Sequence, residues 1–240
     1  MAKTRTKKRA SKTTSRFQPI RWLRRWVLRC ALLAVVIVVG VVIAHRSVEP
    51  PATYYMGQEK RRLGGISHSW VPLDKVAPAM ARSVVAAEDA NFCGHWGFDM
   101  EAIRTAIEEG GGRGASTISQ QVVKNVYLWH GRNWARKALE AMITPLVEAV
   151  WPKKRIIEVY LNVAEFDEGV FGIEAASQHY FGVSAAQLSD VQAARLAAVL
   201  PDPKGRSASK PTAALRKRSA SILDGAATIR RDGRSVCFED

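Results

Sequence analysis

Over no sustained stretch do apolar and polar residues alternate with a period of two; the recurring spacing is three and four, the mark of helices with one buried face. The clearest run is Trp134–Trp151, where Leu139, Met142, Ile143, Leu146, Val147 and Val150 share a face and Pro145 is expected to bend the axis. Lys154–Glu165 repeats the pattern through Ile157, Tyr160, Leu161 and Ala164. Ala79–Ala90 reads as an Ala/Val-rich helix, and Glu101–Glu109 as a short one that stops at Gly110-Gly111-Gly112. Thr117 with Gln120 has capping-box spacing. So has Ser189 with Gln192, whose helix must end near Leu200 because Pro201 follows. A short extended piece is expected around Ser69–Pro72, and loops with one short helix, Ala213–Leu223, after Pro201. The pattern predicts a mainly α-helical fold.

One stretch lacks any polar face. Trp26–Ala44 is apolar apart from Arg29, which lies near enough to one end to snorkel. Nineteen helical residues at about 1.5 Å each reach close to the ~30 Å hydrocarbon thickness of a bilayer. A core helix would need a polar side. A cleaved signal peptide ending at Val42-Ile43-Ala44 is the alternative, opposed by the unusual length of the basic region ahead of it. The expected organisation is a basic cytoplasmic tail (1–25), a transmembrane helix (26–45), a linker punctuated by Pro50-Pro51 and Gly64-Gly65 (46–65), and an exported domain (66–240), with its motifs in 84–211 and a C-terminal tail in 212–240.

Charge fits this division. The formal net charge is +14, but residues 1–29 hold eleven Lys/Arg and no acid, so the rest carries 25 minus 22, only +3. The excess fixes topology rather than marking a nucleic-acid surface. At 47% hydrophobic and 24% charged residues the chain is neither disordered nor collagen-like. Three cysteines are too few for a disulfide scaffold. Cys93 and Cys237 would share an oxidising compartment, where a disulfide between them is one open hypothesis. The five histidines have no metal-ligand spacing, and Ser207-x-x-Lys210 lacks the companion motifs of a Ser/Lys nucleophile.

Candidate chemistry lies in three places. Glu88-Asp89, beside Phe92, His95, Gly97 and Asp99, is either a helix-end cap or a carboxylate tuned to act as a base. The run from Gly110 to Asn125 lacks Walker spacing, but a flexible Gly stretch feeding a helix N-terminus presents amides and hydroxyls to an anion. Lys124, Arg132, Arg136 and Lys137 then bring positive charge, on an anion site or a solvated face. Arg136 and Glu140 stand one helical turn apart, by default a surface ion pair. Spacing alone does not bring Glu140 to Glu88.

Taken in order, these segments resemble glycosyltransferase family 51. Its first motif, Glu-Asp-x-x-Phe-x-x-His-x-Gly-x-Asp, matches at Glu88 to Asp99. The second, Gly-x-Ser-Thr-Ile-x-Gln-Gln-x-x-Lys-Asn, matches at Gly114 to Asn125, and the third, Arg-Lys-x-x-Glu, at Arg136, Lys137 and Glu140. Ile157-Glu158-x-Tyr160-Leu161-Asn162 and Leu196-Ala-Ala-x-Leu200-Pro201-x-Pro203 supply the fourth and fifth. The resemblance implies a mainly α, lysozyme-like two-lobed domain whose smaller lobe touches the membrane near 98–107 and 126–134. With no transpeptidase domain after these motifs, it resembles the monofunctional branch.

The implied activity is peptidoglycan glycosyl transfer: lipid II polymerised into β-1,4-linked glycan with inversion and release of undecaprenyl diphosphate. Glu88 would be the general base and Glu140 the second catalytic carboxylate. Ser116, Gln120, Gln121, Lys124, Asn125, Arg132, Arg136 and Lys137 would bind substrate. No cofactor is required and no metal ligand set is implied, although a divalent cation, Mg or Mn, assists some members. Expected partners are lipid II, the growing glycan strand, membrane lipid and cell-wall synthesis or division proteins, with no nucleic acid. The expected location is the bacterial cytoplasmic membrane. A lysozyme-like glycan-cleaving enzyme and a non-catalytic membrane-anchored scaffold remain the competing readings.

Overall fold

The computed structural model describes residues 19–110, 116–131 and 133–239. The chain falls into two units, 1–41 and 42–240. The described part of the first belongs to helix α1 (Pro19–His45), which starts well before the apolar run. Its large apolar side chains from Ile20 to Val38 are exposed. Among the described residues it is the one helix long and apolar enough to cross a membrane.

In the second unit, the last carbonyls of α1 are capped: Trp151 Nε1 donates to the Val42 carbonyl at 2.7 Å and Arg155 Nη2 to that of His45 at 3.0 Å, and the same guanidinium reaches the Val48 carbonyl just beyond the helix at 2.7 Å. A guanidinium at a helix C-terminus both satisfies orphan acceptors and opposes the dipole. The stretch 46–65, expected as a linker, contains α2 (Tyr54–Leu63), started by the Thr53 side chain and closed by Gly64 in the left-handed region. It is held by Tyr55 Oη donating to Glu165 at 2.8 Å and by Lys204 donating to Glu59 at 3.0 Å.

The remaining elements are β1 (Ser67–His68), α3 (Pro78–Glu88), α4 (Met100–Glu108), α5 (Ile118–Tyr127), α6 (Trp134–Val150), α7 (Lys153–Val163), β2 (Glu165–Asp167), β3 (Val170–Phe171), α8 (Ile173–Phe181), α9 (Asp190–Val199), α10 (Ala213–Arg231) and α11 (Val236–Glu239). The fold is therefore mainly helical, and the capping boxes at Thr117 and Ser189 both form. Helix α7 stops at Val163, two residues before the expected end, because 165–167 pair in a small sheet of order β1-β3-β2. Near the extended piece at 69–72, a buried side chain replaces a strand partner. The Asn162 amide accepts from Val71 N and donates to Val71 O, both at 2.8 Å.

The C-terminal region departs furthest from expectation. Helix α10 runs 19 residues, eight past Leu223, and buries Leu215, Ser219, Ile222, Ala226 and Ile229 at alternating spacings of four and three. It packs with α3 and α9 in one group of helices, while α5 packs on α6 and α7. Cys93 and Cys237 are disulfide-bonded. By burying Ile118, Val122 and Val123, α5 leaves Gln121, Lys124 and Asn125 half-buried on another face. That face forms the floor of the site.

Candidate active site

Glu88 is the last residue of α3 and half-buried. Its Oε2 accepts from Gln121 Nε2 at 3.0 Å, and Oε1 faces the Arg218 guanidinium at 4.0 Å. The amide orientation of Gln121 is set from behind by Tyr160, whose hydroxyl donates to Gln121 Oε1 at 3.4 Å. Asp89 is buried and does what the cap reading expected: Oδ2 accepts from Ile118 N, the first residue of α5, at 3.0 Å. Its Oδ1 accepts from His95 Nε2 at 2.8 Å, and His95 Nδ1 in turn accepts from Gly97 N at 3.2 Å. This arrangement assigns His95 the neutral Nε2–H tautomer. Gly97 has φ of 83°, and a Cβ there would meet Thr144 Cγ2 at 2.5 Å, so the position admits no side chain. Asp89 thus joins the end of α3 to the start of α5.

Across α5 lies the second carboxylate. Glu140, on α6, is 2% exposed and paired twice, with Arg136 at 2.7 Å and with Lys137. The (i, i+4) pair is real, but it is a buried one. Lys137 Nζ also donates to Ser116 Oγ at 3.2 Å. A carboxylate held by two cations is a good electrostatic anchor. Between the two acids stands Lys124. Burial lowers the pKa of its ammonium; Glu140 and Glu88 pull it back up, while Arg136 and Lys137 push it further down. A cation short of solvent favours an anionic ligand.

The remaining expected residues separate by role. Asn125 lines a cavity of about 380 Å³ with Gln121, Lys124, His130 and Tyr160. Glu88 and Ser116 share a second cavity of about 300 Å³. Gln120 is buried with its Oε1 accepting from Thr117 N at 3.0 Å, so it builds the helix start and does not line either cavity. Arg132, and the glycines 111, 112 and 114, lie outside the described residues. A larger cavity of about 750 Å³ between α3, α9 and α10 holds none of these groups.

Several groups went unnoticed in the sequence. Tyr55, Glu165 and Lys204 line the Lys124 cavity and come from α2, β2 and the loop after α9. Burial holds Glu165 above the usual carboxylate range, against the opposing pull of the Tyr55 hydrogen bond. His130, stacked on Tyr55 at 3.9 Å, is pushed down to about 4 by burial and then by Lys124, Arg136 and Lys204, so it is neutral at pH 7. Arg218 belongs to the part of α10 beyond the motifs.

Asp89, His95 and Asp99 offer ligand atoms all within 4.8 Å of one another. They do not fit a cation. Each Asp89 oxygen already accepts from His95 or Ile118 N; Asp99 accepts from Glu101 N, Ala102 N and Asn91.

The site thus gathers a carboxylate open to a cavity, a lysine short of solvent and a second acid held in charge pairs. A transglycosylase family profile matches residues 57–227. The chain belongs to the transglycosylase family. It is similar to proteins named biosynthetic peptidoglycan transglycosylase: 60% identical over 90% of both chains in Jannaschia sp. (strain CCS1), and 49% identical over 90% of this chain and 98% of the relative in Caulobacter vibrioides. A third, from Rhodospirillum centenum, is 46% identical over 92% of this chain and 97% of its own.

Proposed function

We propose that this protein is a peptidoglycan glycosyltransferase that polymerises lipid II, a disaccharide-pentapeptide on undecaprenyl diphosphate, for bacterial cell-wall synthesis. The observation that carries the reading is half-buried Lys124 in the field of both Glu88 and Glu140, while Gln121, which lines the same cavity as Lys124, donates to Glu88. An alcohol is a weak nucleophile unaided. Glu88 takes the proton of the acceptor sugar's 4-hydroxyl as its oxygen attacks the donor's anomeric carbon. The bond from that carbon to the diphosphate oxygen breaks, and attack from the opposite face converts the α-linked donor to a β-1,4 product.

Lys124 takes up the charge growing on the departing diphosphate, joined by Arg132 and assisted by Arg136. Glu140 keeps Arg136 and Lys137 in place and offsets positive charge developing at the donor sugar. Ser116, Asn125 and Gln121 hold sugar and phosphate oxygens, while Gln120 sets the helix that presents them. A hydrolase that expels a sugar alcohol has no use for a buried cation at the leaving group.

The first 25 residues lie in the cytoplasm, residues 26–45 cross the membrane and the rest works on the outer side, by the asymmetry of basic residues, with α2 inside 46–65 packed on the domain rather than leading to it. Exposed Trp96, Met100, Ile107, Trp134 (91% exposed) and Met142 support contact of this domain with lipid. Purified protein given lipid II is expected to make polymer and release undecaprenyl diphosphate. Soluble fragments from intact wall, with no polymer from lipid II, would contradict the assignment.

A further inference from the structure

The family profile ends at residue 227, yet the chain beyond it is fastened to the segment that follows Glu88. Helix α10 ends at Arg231, Gly233 takes a left-handed φ of 69°, and the chain folds back as α11. A helix of four residues has no stability of its own; its neighbours hold it. Cys237 is disulfide-bonded to Cys93, 144 positions away. Phe238, 1% exposed, packs on fully buried Phe92 with ring centroids 6.3 Å apart. Arg234 donates to the Ala90 carbonyl at 3.2 Å, and Glu239 pairs at 2.6 Å with Arg82 on α3.

Phe92 is fixed from its other side as well. The Lys153 ammonium lies 4.3 Å from its ring centroid and donates to the His95 carbonyl at 2.7 Å. His95 holds Asp89, the neighbour of Glu88. An unbroken line of contacts therefore runs from 237–238 to the carboxylate.

We infer that residues 232–239 are a positioning clamp for Glu88: the disulfide and Phe238 fix the 90–95 turn, which through His95 and Asp89 aims the base. The inference rests on the reading of Glu88 as general base. The clamp touches no reacting atom. Its effect falls on turnover through placement, where a displacement of about 1 Å is costly, and leaves affinity for the lipid-linked substrate alone.

The test uses the full-length protein with Cys30→Ser, so that reductant acts on one disulfide. Dithiothreitol gives two electrons to the Cys93–Cys237 bond, leaving two thiols and itself becoming a cyclic disulfide; thiol titration confirms the step. The expected result is a fall in kcat on lipid II of roughly tenfold to a hundredfold, with KM and the circular dichroism spectrum unchanged, and recovery on reoxidation. Adding Cys93→Ser and Cys237→Ser should reproduce the low kcat and abolish the response to reductant. Full turnover with two titratable thiols would overturn the clamp, as would kcat and helicity falling together. Glu88→Gln, measured in parallel, separates the two ideas: wild-type turnover there removes the base itself, whereas a dead Glu88→Gln beside an unaffected reduced enzyme removes only the clamp.

Discussion

Lys124 carries the most informative electrostatics of the site. Its pKa is lowered chiefly by burial, and the two glutamates that raise it are those assigned to the chemistry. Replacing it by Met keeps the bulk and removes the charge that meets the leaving diphosphate. Loss of one such group costs about 3 kcal/mol of barrier, so undecaprenyl diphosphate release at saturating lipid II should slow on the order of a hundredfold. Near-normal release would move the diphosphate elsewhere. Glu88, Lys124 and Glu140 stand out in the sequence as candidates because five motifs occur in order, each with its own spacing. Tyr55, Glu165, Lys204 and Arg218 do not, since they come from four separate elements and only the tertiary fold brings them together. Gln120 was legible twice, as a cap and as a ligand. The side chain is committed to the cap.

The helices themselves followed from period and punctuation. α3, α6 and α9 stand within a few residues of their expected bounds, and α5 starts at its expected cap, because each has an apolar face and a Ser, Thr, Gly or Pro near an end. Strands of two or three residues are too short to show alternation, so the sheet left no mark in the pattern. Helix α10 was underestimated because Ser219 and Ala226 occupy core positions of its 3–4 repeat, and small residues hide a buried face. The helices sit close here: a Cβ at Gly225, on the same helix, would come within 3.2 Å of Ala86 on α3.

The start of α5 is where an element and the site meet. Thr117 accepts from Gln120 N at 3.3 Å and donates to the Gly97 carbonyl at 2.7 Å. Thr117→Ala should cost about 1–2 kcal/mol for the lost cap, lowering the melting temperature by roughly 2–8 °C for a domain of this size. Because the Gly97 tie is lost too, kcat should fall with it. An unchanged melting curve would mean that the cap does not support the helix.

At the scale of the molecule, a long basic tail and an apolar helix precede a nearly neutral catalytic unit, an arrangement that fits anchoring at a membrane. Confinement acts as effective concentration. A chain beginning at Val42 should turn over detergent-dispersed lipid II as the full protein does, yet lose on the order of a hundredfold in rate on lipid II in vesicles at equal protein. Equal rates in vesicles would deny the anchor that role. The anchor was the plainest feature of the sequence, since nineteen residues without a polar face have few other uses.

Glu88→Gln tests the centre of the account. Binding of lipid II and its polymerisation should be measured on one preparation of that variant. Glutamine preserves the hydrogen bond to Gln121 in length and shape but cannot take a proton, so lipid II should bind as before while polymer formation falls by about 10²–10⁴. Polymerisation at the wild-type rate would show that another group removes the proton and that the two acids about Lys124 do not form the catalytic centre.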